Sequence, residues 1–315
     1  MRALDKLRTE LELACRTLRA PVEIEVGTTD GYITSLFSIP GTQTRWGTRN
    51  QTAEAVLEAV HQTGLEWLAD DIEGAASGRP LPARITADIL VPPFLAAVLM
   101  HECIGHTSEA DNYQAYRHRL EPNLGDYWTD LPLLVRDDPT EPGHSGSYRT
   151  DDEGTPAQPV TLVENGRWTD LLTSTRTAGT HQSNGHGRCL TPGGPPLPRM
   201  AFFTVGAGDS SYDSLLSNMD GFLLGGIGGG GSVREYMSIK PLWARRIIDG
   251  HITDESYTDL VLRAKKDQLV KRLQAIGDSP RTYDPLHPCC KEGQDLPITM
   301  AAPYLRLNQV ILYPD

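Results

Sequence analysis

Residues 98–111 read VLMHECIGHTSEAD, and the way this stretch is wound decides how the chain can be organised. His101, Glu102 and His106 nearly make the zinc-binding HExxH pattern, with one residue too many between the histidines. On a regular α-helix an i, i+4 pair shares a face, whereas an i, i+5 pair points about 140° apart. Gly105 stands directly before His106, where it accepts a π-bulge or a helix-ending turn without side-chain strain. The expectation is therefore geometric: the helix leaves regular α geometry between Glu102 and His106. A straight helix would put the two imidazoles on different faces.

Catalytic zinc takes three protein ligands, from His nitrogen, Cys thiolate or carboxylate oxygen, and keeps one position open for water. His101 and His106 supply two of these, and Glu102, beside the first, is placed to act as a general base. The plainer alternative is a buried helix on which two histidines and a glutamate fall by chance, and spacing alone does not separate the two. Burying a charge without a partner is costly, however. In the apolar run FLAAVLMHECIGH, residues 94–106, a metal would satisfy all three side chains together.

Working outward, Pro92-Pro93 suits the opening turn of that helix, and ITADILV, residues 85–91, is a strand candidate before it. GAASGRPLPA, residues 74–83, is Gly- and Pro-rich and reads as a linker, so the main boundary falls there, between 1–83 and 84–315. Upstream of it, Leu4, Leu7, Leu11, Ala14 and Leu18 make residues 3–19 an amphipathic helix. VEIEVGTTDGYITSLFS, residues 22–38, predicts a hairpin on Asp30-Gly31, and 52–72 is helical through Val56, Val60 and Leu68. Downstream, 121–158 is mostly loop, Asn165-Gly166 and Asp249-Gly250 predict hairpins, 256–275 reads as a charged surface helix, and YLRLNQVILY closes the chain as a strand. The expected fold class is α+β: a short N-terminal helix and hairpin domain, then a larger domain of antiparallel hairpins carrying the metal-binding helix.

Lys plus Arg number 29 against 41 Asp plus Glu, a net charge of −12, with no dense basic run. That disfavours nucleic acid and anionic membranes as partners. No window reaches the 18 or so consecutive apolar residues of a membrane span, and the first 20 residues lack a signal peptide's apolar core. Cys15, Cys103, Cys189, Cys289 and Cys290 are odd in number, two of them adjacent, which is no disulfide framework. A cytoplasmic location is expected, where a thiolate is free to bind metal.

Four segments, in order, resemble the TldD/PmbA family of metallopeptidases. HECIGHTSEAD is similar to its HExxxHxxEGD segment, DDEGTPAQPVTLVENGRWTDLL (151–172) to its DDEGTP strand and hairpin, PLPRM (196–200) to its LPRM-type segment, and CCKEGQDLPITMAAPYLRL (289–307) to its CGKxGQxxPVxxGxPxLRL ending. Together they cover roughly residues 86–315. The resemblance implies a third ligand at Cys289, although Cys290, in place of the usual Gly, leaves a one-residue ambiguity; His287 nearby either supports a ligand or is an exposed loop residue. Ala110 replaces a Gly, while Glu109 and Asp111 are retained and either orient the histidines, contact substrate or are solvated turn carboxylates. PmbA-type chains have generally lost the metal residues, so this chain resembles the metal-bearing TldD type with a shortened N-terminal domain.

GFLLGGIGGGGSVREY, residues 221–236, satisfies GxGxxG through Gly226, Gly228 and Gly231, but no βαβ unit surrounds it, which argues against a nucleotide site. The choice is between a flexible surface loop and a strand on which a substrate backbone pairs at Gly228, Gly229 and Gly230; the resemblance favours the strand. HQSNGHGRC, residues 181–189, adds Arg188 as a candidate substrate contact. The function implied is a zinc metallopeptidase: Glu102 takes the proton from a zinc-bound water, whose pKa runs from ~9 on the aqueous ion to ~7 in zinc enzymes, the substrate is an unstructured peptide in an enclosed cavity, and the partner is a PmbA/TldE-like subunit or a second copy. The alternative is a tailoring enzyme using the same site on a small-molecule intermediate of specialised metabolism.

Overall fold

The structure is a computed structural model, and it describes residues 2–29, 31–40, 45–179, 181–191, 193–284 and 288–315. Its centre is the helix Pro93–Met100, which Pro92 caps in an extended conformation before Pro93 begins the first turn. Every residue from Pro93 to Ala110 is buried; the helix Pro93–Met100 is apolar on all sides and must be covered on all sides. Two sheets do the covering. Met100, Cys103 and Ile104 share one core with Ile89, Met237 and Leu262 of the larger sheet and with Val135, Phe203 and Met300 of the smaller.

The larger sheet runs in the order Gly229–Val233, Tyr236–Lys240, Leu260–Lys265, Leu305–Pro314, Ile85–Val91, Gly221–Gly225, Trp243–Ile248, His251–Thr258 and Arg79–Pro80, and Leu273–Ile276 also pairs with Leu305–Pro314. Most of its pairs are antiparallel; Ile85–Val91 beside Gly221–Gly225 and His251–Thr258 beside Arg79–Pro80 are parallel. The smaller runs Arg281–Tyr283, Thr299–Ala302, Phe202–Val205, Val135–Asp137, Val160–Glu164 and Arg167–Trp168. Mixed sheets with few helices make the fold α+β, as the hairpin signals predicted. At Asn165-Gly166 the φ values are 49° and 78°, and at Asp249-Gly250 49° and 75°, the left-handed pair that a two-residue hairpin of matching twist needs.

The N-terminal region has its own core of Leu7, Leu11, Phe37, Trp46, Val56, Val60 and Leu68. It joins the helix Arg2–Ala14 to an antiparallel sheet of Glu23–Thr29, Tyr32–Ser38 and Arg45–Asn50. Glu23–Thr29 and Tyr32–Ser38 form the expected hairpin, although Asp30 lies outside the described residues. The helix expected over 52–72 runs from Ala53 to Ala76 and contains a π turn at Val60–Gly64.

Two sequence expectations differ from what is found. The segment 74–83 is packed, not a free linker: the helix extends through Ala76, Arg79–Pro80 pairs with His251–Thr258, and Leu81 enters the main core. Gly74 is what permits this, since a Cβ there would sit 2.4 Å from the Trp243 ring. Residues 256–275 are not one surface helix. Asp259, at φ 50°, turns the chain between His251–Thr258 and Leu260–Lys265, and only Lys266–Val270 is helical before Leu273–Ile276. The charges there misled because Lys266 and Asp267 are buried, at 3% and 0% exposure, while Leu260, Val261 and Leu262 face the sheets.

Candidate metal centre

After Met100 the helix widens into a π turn, His101–Gly105, closed by the His106 amide donating to the His101 carbonyl at 2.9 Å. The inserted residue makes a spacing of five behave as four, so both imidazoles come to one face with ring centroids 4.6 Å apart. Gly105 makes the turn possible in a second way: a Cβ would lie 2.1 Å from the Met200 sulfur and 3.2 Å from the Phe203 ring.

Cys289 arrives from the other end of the chain, on a hairpin of Cys289–Lys291 with Gln294–Leu296. Its Sγ lies 3.4 Å from His106 Nε2, and a ligand atom from each of His101, His106 and Cys289 lies within 4.8 Å of the others. Strand alternation turns Cys290 the other way, to the exposed side. Of the two adjacent thiols, the structure brings only Cys289 to the histidines. His287 lies outside the described residues.

A buried polar shell fixes this arrangement. Glu109 Oε2 is 2.9 Å from His106 Nδ1 and 3.0 Å from Lys291 Nζ, and it accepts from Asn112 Nδ2 at 3.0 Å. Lys291 also donates to Asp111 at 2.8 Å and to the Pro198 carbonyl at 3.0 Å. Arg199 donates to the carbonyls of Cys289 and Gln294, holding both strands of the cysteine hairpin. Asn112, Arg199 and Lys291 had not been singled out; Arg199 and Lys291 fall inside the PLPRM and CCKEGQ segments, and that was their only signal.

The electrostatics follow from burial and pairing. Burial opposes charge on His106, but the Glu109 carboxylate and Cys289 thiolate outweigh it and raise its pKa well above the usual imidazole value. Burial likewise opposes ionisation of Cys289, and the facing His106 and His101 rings more than offset it, so the thiol is held well below its usual value. Glu109 would be pushed up by burial, yet Lys291 and His106 bring it down to about 2. A thiolate between two imidazoles, one of them oriented by a buried carboxylate, is a donor set suited to a soft divalent cation. Two buried atoms, His101 Nδ1 and Glu102 Oε2, have no hydrogen-bond partner among the described residues. Buried polar groups are costly to leave unpaired, so these residues fit a site completed by an ion and its water.

The site opens into a cavity of about 820 Å³. Leu36 and Trp46 of the N-terminal region line it together with Glu102, Tyr283 and the strand Gly229–Val233. Gly228, Gly229 and Gly230 all face it, on a hairpin with Tyr236–Lys240 at the edge of the larger sheet and with no helix following as a nucleotide loop requires. Arg188 does not reach the cavity. Its guanidinium donates to the carbonyls of Met200 (2.5 Å) and Pro297 (2.9 Å) beside the Tyr148 ring, so it cross-braces strands and is not free to meet a substrate.

Residues 85–312 match the PmbA/TldA metallopeptidase C-terminal domain. A metalloprotease of Synechocystis is 30% identical over 80% of this chain and 56% of its own length, and a metalloprotease of Methanothermobacter thermautotrophicus 32% identical over 71% and 50%. The chain thus spans about half the length of these curated relatives. Among solved structures, TldE of Thermococcus kodakarensis superposes with a TM-score of 0.63 over 91% of this chain and 61% of its own at 18% identity, a likeness of fold.

Proposed function

Since the chain belongs to the PmbA/TldD family of metallopeptidases, we propose that it is a zinc-dependent hydrolase acting on peptides, with His101, His106 and Cys289 as ligands and Glu102 as the general base. One observation carries the reading: three ligand atoms within 4.8 Å of one another, beside a buried Glu102 Oε2 that has no hydrogen-bond partner among the described residues. The bound ion would polarise a scissile carbonyl and acidify water. Glu102 would take the water's proton and deliver it to the leaving amine. Glu109 would hold His106 in one tautomer, with Nε2 turned to the site.

The edge strand at Gly228, Gly229 and Gly230 would take an extended peptide backbone by strand addition, which suits unstructured substrates. Residues 1–83 would act as a smaller domain roofing the cavity, and 84–315 as the catalytic domain. The partner would be a PmbA/TldE-like subunit or a second copy, in the cytoplasm; among the described residues no helix is long and apolar enough to cross a membrane.

Metal analysis of the purified chain tests this directly. Stoichiometric zinc is expected in the wild type and in Glu102→Gln, with loss in Cys289→Ser. A wild type without zinc, or a Cys289→Ser chain that keeps it, would falsify the assignment.

A further inference from the structure

The chain carries a net charge of −12, yet the wall of its cavity is cationic: Arg117, Arg234, Lys266 and Lys291 stand against Glu102 and Glu292. Lys291 is already paired with Glu109 and Asp111. Lys266 has no ion pair among the described residues. It is 3% exposed, its ammonium reaches the Thr107 hydroxyl at 3.4 Å, and among the described residues no carboxylate lies within ion-pairing distance of it. The acid beside it in sequence, Asp267, is taken by Lys265 at 3.1 Å and by the Glu121 amide at 3.1 Å. Burying an ammonium without a counter-ion is among the more expensive arrangements a protein can adopt. A ligand's anion arriving at the cavity wall would remove that cost.

The other two cations lead to the same place. The Lys266 amide donates to the Glu235 carbonyl at 2.9 Å, and the Glu235 carboxylate is 3.4 Å from Arg119. Glu235 thereby draws together the hairpin turn bearing Arg234, the short helix Arg117–Arg119 and the start of the helix Lys266–Val270. Arg234 and Arg117 are exposed at the mouth, and Lys266 is buried further in. Thr107, which receives the Lys266 ammonium, directly follows His106 and is itself anchored to the Cys103 carbonyl at 2.6 Å.

We propose that Lys266 is a specificity residue that binds a substrate carboxylate close to the reacting bond, with Arg117 and Arg234 drawing the anion in, so that the substrates are peptides presenting a carboxylate near that bond. The proposal rests on the hydrolase reading of the same cavity and narrows its substrate class. The carboxylate is either an acidic side chain or a free C-terminus, and the test separates these sources.

Binding of labelled hexapeptides to the zinc-loaded Glu102→Gln chain, followed by fluorescence anisotropy, provides that test. The peptides differ only in Glu against Gln at one position and in a free against an amidated C-terminus. The carboxylate-bearing member of one pair is expected to bind ~10- to 100-fold more tightly, the range of a charge-assisted hydrogen bond, and Lys266→Met to abolish that difference while leaving zinc content unchanged. Arg117→Gln with Arg234→Gln is expected to weaken the anionic peptide by a few-fold at low salt and not at high salt; this pair serves if Lys266→Met does not fold. Equal binding of all peptides, no binding of any, or a preference that survives Lys266→Met overturns the subsite. Absence of zinc from the wild type instead overturns the hydrolase reading beneath it.

Discussion

Two five-residue π turns occur among the described residues, Val60–Gly64 and His101–Gly105, and each closes on a glycine packed under a neighbour. A Cβ on Gly64 would meet the Trp46 ring at 2.8 Å, and one on Gly105 the Met200 sulfur at 2.1 Å. The backbone device is the same in both: an extra residue shifts the register of side chains beyond it. In the first, the spacing of eight from Val60 to Leu68 behaves as seven, bringing within about 20° two positions that a regular helix would set about 80° apart, and both enter the N-terminal core. In the second, the spacing of five from His101 to His106 behaves as four. At the first turn His61 is exposed, and among the described residues no metal-binding cluster includes it. At the other, Glu109, three residues beyond His106, is joined by Cys289 and Lys291, which arrive from the far end of the chain.

The strongest way to break this contrast is Glu102→Gln, which should lower peptide cleavage by ~10²- to 10⁴-fold, the usual contribution of a general base, with zinc retained; a loss below tenfold in a cleavage assay would remove Glu102 from its role. The helix beyond the first turn also buries an acid, and here the two regions oppose each other. Asp71 is raised by burial to about 7, against the lowering hydrogen bond from Trp243 Nε1 at 3.1 Å, whereas Glu109 beside the second turn is lowered. A raised folded-state pKa means that stability is greatest below the ordinary carboxylate value of 3.8 and is lost as pH rises towards 7. At ~1.4 kcal/mol per pKa unit, that swing is at most about 4 kcal/mol. Asp71→Asn, which keeps an acceptor for Trp243, should flatten it, as seen in urea midpoints between pH 4 and 8.

Glu109→Gln should weaken zinc affinity by ~10- to 100-fold, the usual effect of losing a partner that orients a ligand, measured by competition with a chelator. The smallest effects sharpen the contrast most. Gly64→Ala and Gly105→Ala should each destabilise by about 1–3 kcal/mol through overpacking, read from denaturant midpoints. Only Gly105→Ala should also release zinc; equal zinc retention in both would mean that the second turn does not set the ligand geometry.

Much of the site was legible because it is local. His101, Glu102, His106 and Gly105 lie within six residues, and the conflict between an i, i+5 spacing and α geometry has few solutions. Hairpin turns were legible for the same reason, since Asn-Gly and Asp-Gly encode left-handed φ directly. Arg188 was misread because a polar loop sequence does not reveal that its guanidinium is spent on two carbonyls. Residues 256–275 were misread because charge normally marks a solvated face, and Lys266 and Asp267 are buried exceptions.

What the sequence determined by itself, then, is the distorted turn, the hairpins, the α+β class and, through four ordered segments, the family. Tertiary structure alone decided that Cys289 and not Cys290 faces the histidines, because strand alternation at a hairpin sets the direction of each side chain. It also decided that Glu109 orients His106, that Gly74 packs against Trp243 and Arg79–Pro80 pairs with His251–Thr258, and that Leu36 and Trp46 reach the cavity. Backbone geometry is encoded over a few residues, whereas burial and convergence depend on which distant surfaces meet.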